Sequence, residues 1–169
     1  MSELDDFRKE KDTVFASEPQ SPLSPEQKRE FTGLKYFAEN PDLVFQVRAE
    51  EFPERAPIEI QTSTGDVRTY FRYGRLRFTI ENQPVELTLY STRSGDFFLP
   101  FVDALAGKET YGAGRYVEPE PLGNGWFVVD FNTAYNPYCA YNDNWSCPIT
   151  PAENRLKVAV RAGEKMFHD

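Results

Sequence analysis

Histidine is almost missing from this chain of 169 residues: there is one, His168, next to the last position. A serine or cysteine nucleophile normally needs an imidazole base to take its proton. A histidine-dependent hydrolytic triad is therefore excluded on composition, the more so because terminal residues are often mobile. Cysteine is scarce too, with only Cys139 and Cys147 and seven residues between them. A zinc site needs about four ligands and usually shows a C-x-x-C pair, which is absent here. These two cysteines are weak metal candidates at best, since Asp130, Asp143, Glu153 or His168 would have to complete the set. Paired, metal-bound and buried free thiols all remain open readings.

Positive charge is also in short supply. Nineteen Lys and Arg stand against 27 Asp and Glu, a net charge of −8. A phosphate backbone needs clustered positive charge, so nucleic acid is not expected as a partner. No apolar run reaches 18 residues, so no transmembrane helix and no membrane partner are expected. The first residues, Met-Ser-Glu-Leu-Asp-Asp, are acidic, the reverse of a secretory signal, and the expected location is cytoplasmic with both thiols reduced.

What is abundant is aromatic: 14 Phe and 9 Tyr within a 40% apolar composition. Flat rings pack well on pleated surfaces, and the length suits one core. We expect one domain over residues 1–169, with a helical cap at 1–40 and an antiparallel β domain at 41–169. In the cap, Leu4, Phe7, the stem of Lys11, Val14 and Phe15 recur at helical spacing over 3–17. Ser24-Pro25-Glu26-Gln27 starts a second helix, with Ser24 as cap, Pro25 first and Gln27 closing the box, ending near Gly33.

From 43 the period changes to two. Strands are expected at 43–49 and 58–62, then a turn at Thr64-Gly65-Asp66. Val67, Thr69, Phe71 and Tyr73 alternate with polar residues up to a turn at Tyr73-Gly74-Arg75. Leu76, Phe78 and Ile80 follow to a turn at Asn82-Gln83, then Val85, Leu87 and Leu89. This predicts an antiparallel meander of three short strands with one buried face. Further strands are expected at Gly114–Glu118, Trp126–Asp130 and Leu156–Ala162, with an irregular corner at 103–107. The fold class is mainly β, α+β at the N-terminus, its strands closing into a β-barrel-like or curved sandwich domain. The 131–155 connection holds Pro137, Pro148 and Pro151 with Tyr135, Tyr138, Tyr141 and Trp145, the make-up of an ordered functional loop.

Tyr111-Gly112-Ala113-Gly114-Arg115-Tyr116 looks like a phosphate loop but lacks the Lys-Ser/Thr and the G-x-G-x-x-G spacing. Its glycines read as relief of crowding at a strand bend, with Arg115 able to fork onto a carboxylate or phosphate. Asp130 sits among Val128, Val129 and Phe131, so it is expected to be partly buried and paired with Arg115 or Arg155.

Several segments carry a family likeness. Phe31-Thr32-Gly33-Leu34-Lys35-Tyr36-Phe37, the 111–116 motif and Asp130–Tyr141 resemble the motifs of the domain of unknown function 1684 family. So do Cys147–Leu156 and Arg161-Ala162-Gly163-Glu164-Lys165, and together the likeness spans essentially the whole chain. Tyr138 departs from it, where many relatives carry a second proline. The front of the chain also lacks the tryptophan-rich pattern of longer members. The family name supplies no activity and no cofactor, and none is expected. The resemblance implies that Tyr111, Arg115, Asp130, Asn132, Asn136, Cys139, Cys147, Glu153, Asn154 and Glu164 act together.

The leading expectation is a pocket for a small anionic or hydroxylated molecule, lined by aromatics and closed by the 131–155 loop. Tyr111, Arg115, Asn132, Asn136, Asn154 and Glu164 are its ligand-binding candidates, with Arg115, Asn132, Asn136 and Asp130 as polar anchor. The alternative is a small hydrolase- or isomerase-type enzyme with Asp130 or Glu153 as acid/base and Cys139 as thiol participant, which requires a carboxylate of raised pKa at a cleft. A third is an interaction module, a homodimer through exposed sheet edges. Structural hydrogen bonding is a further reading of the same residues.

Overall fold

The computed structural model describes residues 3–142 and 144–168. Helix α1 (Glu3–Ser17) and helix α2 (Pro25–Glu30) precede nine strands. These are β1 (Val44–Arg48), β2 (Glu50–Glu51), β3 (Pro57–Gln61), β4 (Val67–Ile80), β5 (Gln83–Ser91), β6 (Phe97–Phe101), β7 (Arg115–Val117), β8 (Glu120–Gly123) and β9 (Trp126–Asp130). The capping box forms as the local sequence dictates: Ser24 accepts from the Gln27 amide at 3.2 Å, and Gln27 Oε1 accepts from the Ser24 amide at 2.8 Å. Helix α2 ends at Glu30, short of Gly33, because Phe31 takes an extended conformation.

All strand pairs are antiparallel. β3, β4, β5, β6 and β7 pair in succession, β2 shares the β3 edge of β4, and β1, β9 and β8 form a separate three-stranded sheet. Leu76, Phe78, Leu87, Leu89, Leu99 and Phe101 of the larger sheet share one core with Phe127 and Val129 of β9. Burying each such side chain contributes about 1.5–3 kcal/mol. Phe131 stands at the junction, its ring edge-on to Phe45, Phe78 and Phe101. A second cluster ties α1 and α2 to the 138–141 turn through Phe15, Leu23 and Tyr141.

Three expectations are corrected. Tyr73-Gly74-Arg75 is not a turn: β4 runs through it for 14 residues, with a bulge between Arg72 and Gly74. The missing side chain at Gly74 lets β2 approach, since a Cβ there would lie 2.8 Å from the Glu50 carbonyl oxygen. A glycine inside an alternating run marks a bulge as readily as a turn, and only the partner strand distinguishes them. The true hairpin turn is Glu81-Asn82, with φ of 52° and 62°. Second, residues 156–162 form no strand: Leu156 and Val158 bond the backbone of Val102 and Ala104, and side chains bond the backbone at Val160 and Ala162. Third, the strand pairing among the described residues gives two sheets and no closed barrel.

Among the described residues, no helix is long and apolar enough to cross a membrane.

Candidate functional site

Arg115 begins β7 and is fully buried, an unusual place for a guanidinium. The preceding Gly114 (φ +100°) makes this possible, because a Cβ there would press on the Phe101 carbonyl and Val102. Of the motif's two glycines only Gly114 shows the expected crowding, since a Cβ at Gly112 would come no nearer than 3.9 Å to Gly107. The guanidinium lies 5.0 Å from the Phe101 ring centroid. Nη2 donates to the Val160 carbonyl at 3.0 Å, and Nη1 donates to the carbonyls of Ala162 and Glu164. Thus one rigid fork does what a neighbouring strand would do for residues 160–164.

The counter-charge is Asp103, 3.7 Å away, and not Asp130, for which Arg115 or Arg155 was the expected partner. Asp103 also accepts from Thr110 Oγ1 at 2.7 Å and from the Val160 amide at 2.8 Å. Burial brings the Arg115 pKa down to about 10, opposed by Asp103 and Glu164, so the cation survives at neutral pH. Arg155 instead bridges Val102 through its backbone.

Asn154 performs a similar repair between β5 and β6. Those strands pair at Ser91–Phe97 and Tyr90–Phe98. In that register Thr88 faces Pro100, which has no N–H to give. The Asn154 side chain fills the gap: Oδ1 accepts from the Thr88 amide at 2.8 Å, while Nδ2 donates to the Thr88 and Pro100 carbonyls at 2.9 and 2.8 Å. Beside it, half-exposed Glu153 accepts from Arg72 Nη2 (2.7 Å), Thr88 Oγ1 (3.0 Å) and the Tyr90 hydroxyl. Burial raises the Glu153 pKa, but the Arg72, Tyr90 and Thr88 bonds outweigh it and the net shift is downward. That is opposite to the raised carboxylate that a general acid requires.

Asn132 and Asp130 form a third group. Asn132 Oδ1 accepts from the Asn40 amide at 2.8 Å and Nδ2 donates to the Asn40 carbonyl at 2.9 Å, while Asp130 Oδ1 caps the Asn132 amide at 2.9 Å. This joins the turn before β1 to the turn after β9.

The fourth group surrounds Glu164, whose side chain is buried. It accepts from Lys11 Nζ of α1, from the Tyr141 hydroxyl and, at 3.4 Å, from the Asn136 amide. Asn136 Nδ2 donates to the Lys165 carbonyl at 3.0 Å. Gly163 (φ +77°) presses so closely on the Phe131 and Ala134 carbonyls that a Cβ would sit 2.8 and 2.7 Å from them. Two atoms here, Asn136 Oδ1 and the Tyr36 hydroxyl, are buried without a hydrogen-bond partner. Both are costly arrangements in a dry interior. Burial and the Glu164 charge push the Tyr36 pKa well up, so its hydroxyl keeps its proton.

Lys11 opens onto a groove of about 830 Å³ between α1 and the segment after β9, with Glu118 from just beyond β7, lined by Phe7, Val14, Phe15, Tyr135 and Tyr138 among others. The ammonium lies 5.2 Å over the Tyr135 ring, and Tyr135 donates to Glu118 at 3.2 Å. Phe7 and Tyr138 are exposed large rings.

Cys139 and Cys147 are free thiols, the first partly exposed and the second buried. The Cys139 amide donates to Cys147 Sγ at 3.3 Å, and the Tyr111 hydroxyl lies 3.7 Å from Cys139 Sγ. No three of His, Cys, Asp and Glu converge as metal ligands among the described residues. Asp143 lies outside them. His168 contacts the Tyr141 carbonyl at 3.2 Å.

The candidates therefore occupy four places rather than one. Arg115, Asn136 and Glu164 meet around the 160–164 segment, while Asn154 with Glu153, Asn132 with Asp130, and Tyr111 with the cysteines stand apart. Lys11 and Asp103 were not singled out as site residues from sequence, and Tyr135 and Tyr138 were named only among the rings of the 131–155 loop. Lys11 counted only as a helix stem, because its carboxylate partner is 153 positions away. Lys11 on the apolar stripe of α1 was the one available signal.

The model of a family described as "Protein of unknown function (DUF1684)" matches residues 29–165. No curated protein matches the chain. A solution NMR structure of an uncharacterised protein of Haloarcula marismortui is similar, at 35% identity over 98% of this chain and 94% of that one, with a TM-score of 0.74.

Proposed function

The chain belongs to the DUF1684 family, and we propose from its own geometry that it binds a small hydroxylated or anionic molecule in the groove beneath α1. The observation that carries this reading is the coincidence of an open groove carrying four aromatic rings, Phe7, Phe15, Tyr135 and Tyr138, with an ammonium at its edge. Close to that ammonium lie a buried carboxylate and polar atoms without partners. Rings supply area and orientation, and a few polar groups fix the ligand's hydroxyl or acid group. Lys11 is already shared with Glu164, which favours a hydroxyl or a weak acid over a phosphate of high charge.

The polar anchor is accordingly moved from Arg115, Asn132 and Asp130, whose polar groups bond the chain's own backbone, to Lys11 with Glu164 and Asn136. We place the binding outside the two sheets rather than within a barrel interior. A thermal-shift panel of polyols, hydroxy acids and aromatic acids, followed by amide chemical-shift mapping, tests it. Perturbations should cluster at Phe7, Lys11, Tyr135 and Tyr138, and Lys11→Met should weaken binding at least tenfold. A panel without hits, or binding indifferent to Lys11→Met, sinks the idea.

Glu153 supports a second reading, acid–base chemistry, through its half-exposed contact with Arg72 and Tyr90. Its lowered pKa suits a carboxylate base and not an acid. Turnover unchanged in Glu153→Gln, once a substrate is found, rejects it.

A further inference from the structure

The 131–155 loop does something that neither the groove nor the backbone repairs explain. It turns back so that two residues with seven between them face one another. The 138–140 turn aims the Cys139 amide at Cys147 Sγ. Cys147 is held by Ser63, whose Oγ accepts from the Cys147 amide at 3.2 Å and whose amide donates to the Cys147 carbonyl at 2.9 Å. The two sides of the pair differ: Cys139 is partly exposed and has the Tyr111 hydroxyl at 3.7 Å, whereas Cys147 is buried behind it. Two thiols that merely filled apolar space would need neither the polar neighbours nor this asymmetry.

We propose that Cys139 and Cys147 form a dithiol that hydroperoxides oxidise to a disulfide, with Cys139 as the sulfur oxidised first and Cys147 as the resolving thiol. The Cys147 thiol hydrogen-bonds the Cys139 sulfur, and together with Tyr111 it brings the Cys139 pKa down to about 6, so Cys139 is largely thiolate at neutral pH. The proton stays on Cys147, whose own pKa is raised by the same bond and by burial.

In the first step the Cys139 thiolate attacks one oxygen of the peroxide. The O–O bond breaks, the S–O bond forms, and the leaving alkoxide or hydroxide takes a proton from solvent or through the Tyr111 hydroxyl. Cys139 is then a sulfenic acid. In the second step the Cys147 sulfur attacks Cys139 Sγ as its proton departs with the hydroxyl. The S–S bond forms, the S–O bond breaks, and water leaves. Two thiols are oxidised, and one hydroperoxide is reduced to an alcohol, or to water when it is hydrogen peroxide, with a second water released. The product staples the loop that carries Trp145 and contacts Ser63 and Thr64.

The test treats the full reduced chain with hydrogen peroxide and reads intact mass and free thiols. Wild type should lose two hydrogens and both titratable thiols, with no added oxygen. Cys147→Ser should instead accumulate a sulfenic acid trapped by a cyclic dione, and Cys139→Ser should react many-fold more slowly. On the unmutated chain, alkylation of Cys139 should titrate near pH 6, and Tyr111→Phe should move that midpoint upward. Both thiols surviving peroxide, oxygen added without a disulfide, or alkylation titrating at the ordinary thiol value of about 8.5 would overturn the proposal.

Discussion

The Arg115–Asn154 interior and the Lys11–Cys139 side of the molecule are built from the same kinds of residue, yet they do opposite things. In the interior, each polar group is spent on the chain's own backbone or on another buried side chain: Arg115 on three carbonyls, Asp103 on an amide, a hydroxyl and the guanidinium, Asn154 on Thr88 and Pro100. On the α1 side, Lys11 and Cys139 are partly exposed, Tyr138 is 40% exposed, and three buried polar atoms, Arg8 Nε, the Tyr36 hydroxyl and Asn136 Oδ1, lack hydrogen-bond partners. A dense cluster of Arg, Asn and carboxylate is thus no sign of a ligand site by itself. What separates the two is whether the polar atoms are already satisfied.

If that distinction holds, the largest effect comes from Arg115→Met. It leaves Asp103 buried without its cation and three carbonyls without a donor, and should cost about 3–5 kcal/mol, read by chemical denaturation. Next is Asn154→Ala, which strips the Thr88 amide and two carbonyls of partners and should cost roughly 2–3 kcal/mol, with the β5–β6 amides losing protection in hydrogen exchange. Gly163→Ala follows, at about 1–3 kcal/mol for a left-handed backbone and a Cβ driven against two carbonyls; full stability in that variant would mean the Glu164 turn is looser than drawn. Phe7→Ala, on the groove side, should change stability by under about 0.5 kcal/mol while weakening ligand binding.

Asp66 gives a pH-dependent contrast at the surface. Hydrogen bonds from Thr62, Thr64 and Ser146 lower its pKa from 3.8 to about 2. Because the folded value lies below the unfolded one, its contribution is complete above 3.8 and is lost as pH falls through about 2. Asp66→Asn should therefore flatten the denaturation midpoint's dependence on pH in that window, by a small amount given full exposure.

Features set by near neighbours could be read from the chain directly. The Ser24–Gln27 box joins positions three apart, and the alternation of Leu76, Phe78 and Ile80 with charged residues follows from the pleat. Gly74 could not be read correctly, because bulge and turn leave the same trace until β2 is seen against it. Arg115 and Glu164 were recognised as special, but their partners were not. Asp103 lay in a stretch read as an irregular corner, and Lys11 in a helix 153 positions away.

The sequence by itself determined the mainly β, antiparallel character and the two N-terminal helices. Those follow from composition and from periodicities spanning a few residues. Only the tertiary structure decided that 156–162 is held by Arg115 and Asp103 instead of a strand, that Asn154 replaces the N–H missing at Pro100, and that Cys139 meets Cys147. Each depends on contacts between distant positions, which local pattern does not encode.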